Sequence, residues 1–246
     1  MLCRCVRTGT YYGNCVAERC MMFMPRSYQK EIMDDFSITD DRVNTALGEL
    51  ELINKYLGGR STSKKGFEII SKVIGQNKRI SILDVGSGGS DNFKFNSNGK
   101  TISLTSLDIN KGICRFVKES SSEVNIVCGN TFSLPFKESS FDIVHVSLFL
   151  HHFSEGEINK LIQHFMKISR FGVIVNDLHR SVFAYAGIKF LTSLFSKSEM
   201  VKNDGPLSVK RGFLKNELQE IFSDTKSSSV IIQHRWAFRW LAVIIK

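Results

Sequence analysis

A chain of 246 residues is long enough for one α/β domain with a full core and room for an appendage. Hydrophobic and charged fractions of 42% and 23% exclude a disordered or fibrous chain, and no apolar run approaches the length of a bilayer span. The net charge of +9 admits an anionic partner, but no Lys/Arg block exceeds a pair, so the basic residues read as solvated faces and nucleic acid is not expected as a partner.

Residues 1–25 show no period and read as a disordered extension, 26–78 as an N-terminal helical lid region, and 79–246 as the ligand-binding domain. Cys3, Cys5, Cys15 and Cys20 lie in the extension with no histidine near, a spacing that does not suit zinc, and no metal site is expected. Met21-Met22-Phe23-Met24 is too short for a secretory apolar core, so the expectation is a cytoplasmic protein with reduced thiols.

Tyr28 to Asp35 reads as a short helical piece. Asp40 and Asp41 cap a second helix, in which Val43, Leu47, Leu50, Leu52, Ile53 and Leu57 recur at roughly helical spacing, and Gly58-Gly59 ends it. A third helix runs from Phe67 to Ile74. These helices either roof a cavity or simply cover a sheet.

Ile80 to Val85 is an apolar, β-branched run that leads into Gly86-Ser87-Gly88-Gly89, the pattern of a buried parallel strand ending in a ligand-binding turn. A dinucleotide fingerprint would need a third glycine at position 91, where Asp91 stands. Asp84 and Asp91 flank the turn and would repel a diphosphate, so a cationic nucleoside ligand such as S-adenosylmethionine (SAM) suits the place better. Asp84 can hold its ammonium, directly or through water.

Downstream, 91–99 is polar and short for a helix. Thr101 to Leu107 is the next strand and ends in Asp108, at the interval where a carboxylate meets a ribose diol. A helix from Asn110 to Lys118, a strand from Asn125 to Cys128 and a strand from Ile143 to Leu148 follow. Phe149-Leu150-His151-His152 leaves the carboxyl end of that strand, where ligands sit in open parallel sheets. A helix Glu155–Ile168 and a strand Phe171–Val175 lead to Asn176-Asp177-Leu178-His179-Arg180, a second polar cluster at a strand end. His151, Asp177 and His179 are the candidate proton-handling residues, in no fixed order. Val182 to Phe195 is an apolar helix that roofs a cavity, touches a membrane surface or belongs to the core. A helix Leu214–Phe222 and a hairpin of Val230–His234 and Phe238–Ile244 close the chain.

Asp84-Val85-Gly86-Ser87-Gly88-Gly89 resembles the first motif of class I SAM-dependent methyltransferases, with Ser90 at the place of its third glycine. Leu134-Pro135-Phe136 followed by Ser140-Phe141-Asp142-Ile143-Val144 is similar to the quinone-biosynthesis type. The segments at 31–35, 147–152, 176–180 and 204–209 resemble a branch with polyketide and quinone-like substrates, and the resemblance runs from about residue 27 to the end. It implies a doubly wound α/β fold with a mostly parallel seven-stranded sheet, an N-terminal helical layer and a helical insertion after strand five. It also implies SAM as cofactor, held by Asp84, Gly86, Ser87, Gly88, Asp108, Ile109, Asn130, Thr131 and Ser147, with Asn130 at the adenine. The expected reaction is methyl transfer to an oxygen, or an activated carbon, of an apolar aromatic or quinol-like small molecule. An RNA or protein methyltransferase and a SAM-fold protein without catalysis stay open. The Asp/Asn-Pro-Pro-aromatic motif of amino-methylating enzymes is absent, since Ser147-Leu148-Phe149-Leu150 stands in its place.

Overall fold

The computed structural model describes residues 24–90, 92–95, 97 and 99–246. The expectation for 1–25, with its four cysteines, and Asp91 beside the glycine turn therefore lie, Met24 and Pro25 apart, outside the described residues. In chain order, a 3-10 turn at Ile32–Asp34 precedes α1 (Asp41–Tyr56), α2 (Gly59–Ile74), β1 (Arg79–Val85), β2 (Thr101–Asp108), α3 (Lys111–Ser120), β3 (Asn125–Cys128) and β4 (Phe141–Ser147). A second 3-10 turn at Leu150–His152 is followed by α4 (Glu155–Ile168), β5 (Ser169–Leu178), α5 (Val182–Phe195), α6 (Glu199–Arg211), α7 (Lys215–Ser223), β6 (Ser229–Arg235) and β7 (Arg239–Ile245).

The seven strands form one sheet in the order β3-β2-β1-β4-β5-β7-β6. β1 to β5 are parallel, and β7 enters antiparallel between β5 and β6. Strand order reverses between β1 and β4, which opens a crevice at their carboxyl ends. Alternation along each strand splits the core. Ile80, Ile82, Ile143 and Ile174 pack with Phe67 and Ile70 of α2, while Leu83, Val85, Val144 and Val146 pack with Ile158, Leu161 and Phe165 of α4.

Three elements differ from expectation. α2 starts at Gly59, eight residues before Phe67. Leu57 and Gly58 make the whole turn, Gly58 at φ +77° with its backbone against Trp236, and the polar 59–66 stretch is helical because Gly66 lets α2 press onto Ile174 of the sheet. No helix forms among the described residues of 92–99; Phe93 turns under the sheet instead and packs edge-on to His145, centroids 4.8 Å apart. α6 is an additional helix despite Pro206 in its interior. The hydrogen bond that proline forfeits is offset by burial of Met200, Val201, Leu207 and Val209. Of the 26–78 region, the segment before α1, together with α1, faces the crevice, whereas α2 packs on β5 and β7.

Candidate active site

The crevice holds a cavity of about 550 Å³. Its floor is the β1 turn. Gly86 sits at φ +62° with its Cα against the Phe149 ring; a Cβ there would lie 2.1 Å from that ring, so both the backbone angle and the contact require glycine. Gly88 is also left-handed, and Ser90, at the third position of the glycine pattern, takes φ +53° as a serine. Its hydroxyl donates to Ser106 Oγ at 2.9 Å, an anchor that helps offset the unfavourable angle, and Ser87 bonds the same hydroxyl.

Asp108 ends β2 and lines the cavity. Its carboxylate accepts from Asn110 N at 3.0 Å and Gly88 N at 3.4 Å. Burial is the main reason its pKa rises to about 6, against those backbone hydrogen bonds. Asn110 caps α3, accepting from Gly112 N at 2.7 Å, so helix start and floor are one structure. Ile109 lines the cavity beside Asp108, and Asn130, Thr131 and Ser147 line it from the ends of β3 and β4. The Asn130 amide oxygen accepts from Phe132 N at 2.9 Å. Thr131 Oγ1 and Ser147 Oγ are buried without a hydrogen-bond partner.

Asp84 does not line the cavity. It lies on the α2 face of β1, fully buried, and binds His145 Nδ1 at 2.6 Å; His145 Nε2 reaches Ser63 Oγ at 2.9 Å, and Asn176 donates to the same hydroxyl. Strand alternation turned it away from the ligand side. His179 is likewise away from the cavity, against His234, Phe238 and Trp240. Burial, with His234 and Arg180, lowers its pKa.

The opposite end of the cavity is a cap of charged groups from four segments. His151 is buried, lines the cavity and places Nδ1 2.6 Å from Asp177 Oδ1. Asp177 lies beneath the ring, outside the lining, and also accepts from the backbone of Leu150, His151 and Leu178, so it is a positioning residue. His151 Nε2 points to Glu31 Oε1 at 3.4 Å. Burial disfavours charge on this ring, but Asp177 and Glu31 outweigh it and raise the pKa to about 9, which makes His151 a donor near neutrality and unsuited, in this state, to the role of general base. His152 Nδ1 pairs with Asp34 Oδ1 at 2.7 Å. Burial also opposes the charges on Glu31 and Asp34, yet His151, His152 and Arg211 hold the Glu31 carboxyl below its usual range, and His152, Arg211 and the Glu31 backbone N–H do the same for Asp34. Arg211 of α6 bonds Asp34 and the carbonyls of His151 and His152. Asp204, its pKa raised by burial, accepts from Ile32 N and Met33 N and so holds the first 3-10 turn.

Sequence reasoning placed His152 beside His151 at the strand end, where either could act as a base, but assigned no site role to Glu31, Asp34, Asp204 or Arg211. The available signal was the His151-His152 pair leaving a strand end and two acids three apart at 31 and 34; only the fold brings them to α6.

Residues 83–174 match a protein family described as a methyltransferase domain. No curated protein matches the sequence. Among solved structures, the fold is similar to the plantazolicin methyltransferase BpumL in complex with a triazolic desmethylPZN analog and SAH, at TM-score 0.63 and 16% identity over 86% of this chain and 92% of that one. BpumL in complex with SAH aligns at TM-score 0.59 and 16% identity over 87% and 98%. A candidate S-adenosyl-L-methionine-dependent methyltransferase from Methanococcus maripaludis aligns at 0.53 and 15% over 80% and 91%. The seven-stranded sheet has the Rossmann-like fold of the class I methyltransferases.

Proposed function

We propose that this methyltransferase passes the methyl group of SAM to an oxygen, or an activated carbon, of an apolar aromatic or quinol-like small molecule. One observation carries the reading: a single cavity runs from the glycine turn and Asp108 to His151, walled between by Tyr28, Phe36, Phe149 and Phe153. Its volume suits a small-molecule site. The residues at its floor fit SAM. Asp108 is a desolvated carboxylate with acceptor capacity left for a ribose diol, and the unpartnered hydroxyls of Thr131 and Ser147 face the same space. Ile109 and Phe132 offer apolar surface for an adenine ring. Glu31, Asp34, Glu51 and Asp108 line the cavity and oppose a diphosphate, which disfavours a nicotinamide cofactor. BpumL, whose fold is similar, was crystallised with SAH and a small molecule together.

SAM supplies an electrophilic methyl on a sulfonium. The chain's own contribution is alignment and exclusion of water. His151 Nε2 is placed to hydrogen-bond the acceptor's oxygen, and Asp177 fixes the ring from behind. The acceptor's hydroxyl proton passes to solvent, and attack by the oxygen forms the O–CH3 bond as the S–CH3 bond breaks, its electron pair passing to sulfur.

A peripheral membrane contact through α5 belongs to the same reading. Phe183, Phe190, Leu194 and Phe195 are exposed along this helix, with Phe195 76% exposed, beside Lys189 and Lys197. Apolar rings flanked by lysines suit an anionic bilayer surface, the source of an apolar acceptor. Among the described residues no helix is long and apolar enough to cross a membrane. The cytoplasm, where Cys114 and Cys128 stay free thiols, is the proposed compartment.

Transfer of labelled methyl from SAM into a panel of phenols, quinols, RNA and protein tests the reading. Label in a phenol or quinol is expected. Label confined to RNA or protein favours those classes, and absence of both label and SAH binding leaves a scaffold without catalysis.

A further inference from the structure

We infer that Glu31, His151 and His152 form a binding site for a divalent first-row transition metal at the capped end of the cavity. Each of the three residues offers one ligand atom, a ring nitrogen or a carboxylate oxygen, and these atoms lie within 4.8 Å of one another. His151 Nε2 is 3.4 Å from Glu31 Oε1, and His152 Nε2 is 4.0 Å from Glu31 Oε2. Ligands at ordinary metal–donor lengths stand about 3–3.5 Å apart around one ion, so the first pair already has that spacing and the second needs a shift of about half an ångström.

Three further features point the same way. The other nitrogen of each ring faces a carboxylate: His151 Nδ1 is hydrogen-bonded to Asp177 at 2.6 Å, and His152 Nδ1 lies 2.7 Å from Asp34 Oδ1 as an ion-pair contact without hydrogen-bond alignment. That carboxylate–histidine arrangement orients a metal ligand and leaves Nε2 as its donor. Next, His151 Nε2 and Glu31 Oε1 are buried yet lack a hydrogen-bond partner, and both side chains are more than nine-tenths buried. A purely structural ion-pair network would leave that cost unmet. Finally, three carboxylates, Glu31, Asp34 and Asp177, face one guanidinium, Arg211, and the proton on His151, so a divalent ion that displaces that proton balances the carboxylates in full.

Two imidazoles and one carboxylate suit Zn, Fe(II), Co, Ni or Mn rather than Mg or Ca, which prefer oxygen alone. Glu31, His151 and His152 all line the cavity, so the open positions of the ion face the space assigned to the acceptor. A hydroxyl coordinated there loses its proton to solvent, and the resulting oxygen attacks the methyl group. This last step rests on the methyl-transfer reading; metal binding does not. In the loaded protein the ion then takes the place of the hydrogen bond from His151.

The test is titration of the full, chelator-treated chain with Co2+, followed by its visible absorption, and with Zn2+ by calorimetry, alongside SAH titration of each variant. The expected result is one equivalent per chain, with affinity lowered at least a hundredfold in Glu31→Gln and in His152→Gln and about ten- to hundredfold in Asp34→Asn. SAH affinity within twofold of the parent shows that the variants are folded. Metal binding without SAH binding would sink the methyl-transfer reading and leave the site; SAH binding without metal would do the reverse. Co2+ held instead by cysteines, seen as thiolate charge-transfer bands unchanged in both variants, overturns the proposal.

Discussion

Two Asp–His pairs stand at neighbouring strand ends with the same 2.6 Å contact and opposite fates. Asp84–His145 lies on the α2 face of the sheet, where Ser63 takes the second ring nitrogen and every member is sealed from the cavity. Asp177–His151 lies one strand further and on the other face, where the second nitrogen opens onto the cavity with only Glu31 opposite. Pair geometry is therefore silent about role. The company of the remaining nitrogen separates a polar tie of the fold from a group able to meet a ligand.

That contrast breaks or sharpens at definite points. The largest effect on stability is expected from His145→Ala, which leaves Asp84 buried without its partner and lowers unfolding free energy by about 3–5 kcal/mol in urea titrations. His151→Gln should cost less than half as much, because Asp177 keeps its backbone donors from Leu150, His151 and Leu178, while kcat for methyl transfer falls about 100-fold or more. Equal losses of stability with unchanged kcat would erase the distinction. Asp108→Ala, which removes an acidic group that has no histidine partner, should weaken SAH binding by roughly 1.5–3 kcal/mol in calorimetry.

The same carboxylate predicts a pH effect. Its pKa is raised in the folded protein to about 6, so its contribution to stability is full below the unfolded value and is lost as pH rises through about 6. Ribose binding needs the ionised form, so SAH affinity should fall as pH drops through about 6, and Asp108→Asn should flatten that dependence. The smallest effect on the fold belongs to α5. Phe190→Asp with Phe195→Asp should abolish co-sedimentation with anionic vesicles while shifting stability by less than about 1 kcal/mol and leaving turnover of a soluble acceptor intact. Vesicle binding that survives both charges would remove the membrane contact.

The sheet was legible because its signals are local. β-branched runs ending in Gly86, Asp108 and Ser147 reveal strands, and the crevice follows from strand order. The β1 floor was legible for the same reason: the turn and Asp108 lie at the ends of two consecutive, paired strands. Side-chain facing was harder. Asp84 looked like a ligand residue beside the glycines, and only its register on the α2 face shows that it turns under the sheet. His179 followed Asp177 in sequence but left the strand toward Trp240. The cap was hidden because Glu31, His151, Asp177 and Arg211 come from segments up to 180 residues apart, joined by α6, a helix whose Gly205-Pro206 pair argued against it. No local pattern encodes such a meeting, since it depends on tertiary burial of α6 against α1 and α5.

The central claim is that one cavity binds the adenosyl group at Asp108 and presents the sulfur side to His151. The most direct measurement is a structure of the chain soaked with SAH. The account predicts the ribose diol on the Asp108 carboxylate and the homocysteine sulfur facing the space between Phe149 and His151. SAH bound elsewhere, or a ribose that leaves Asp108 untouched, would contradict it.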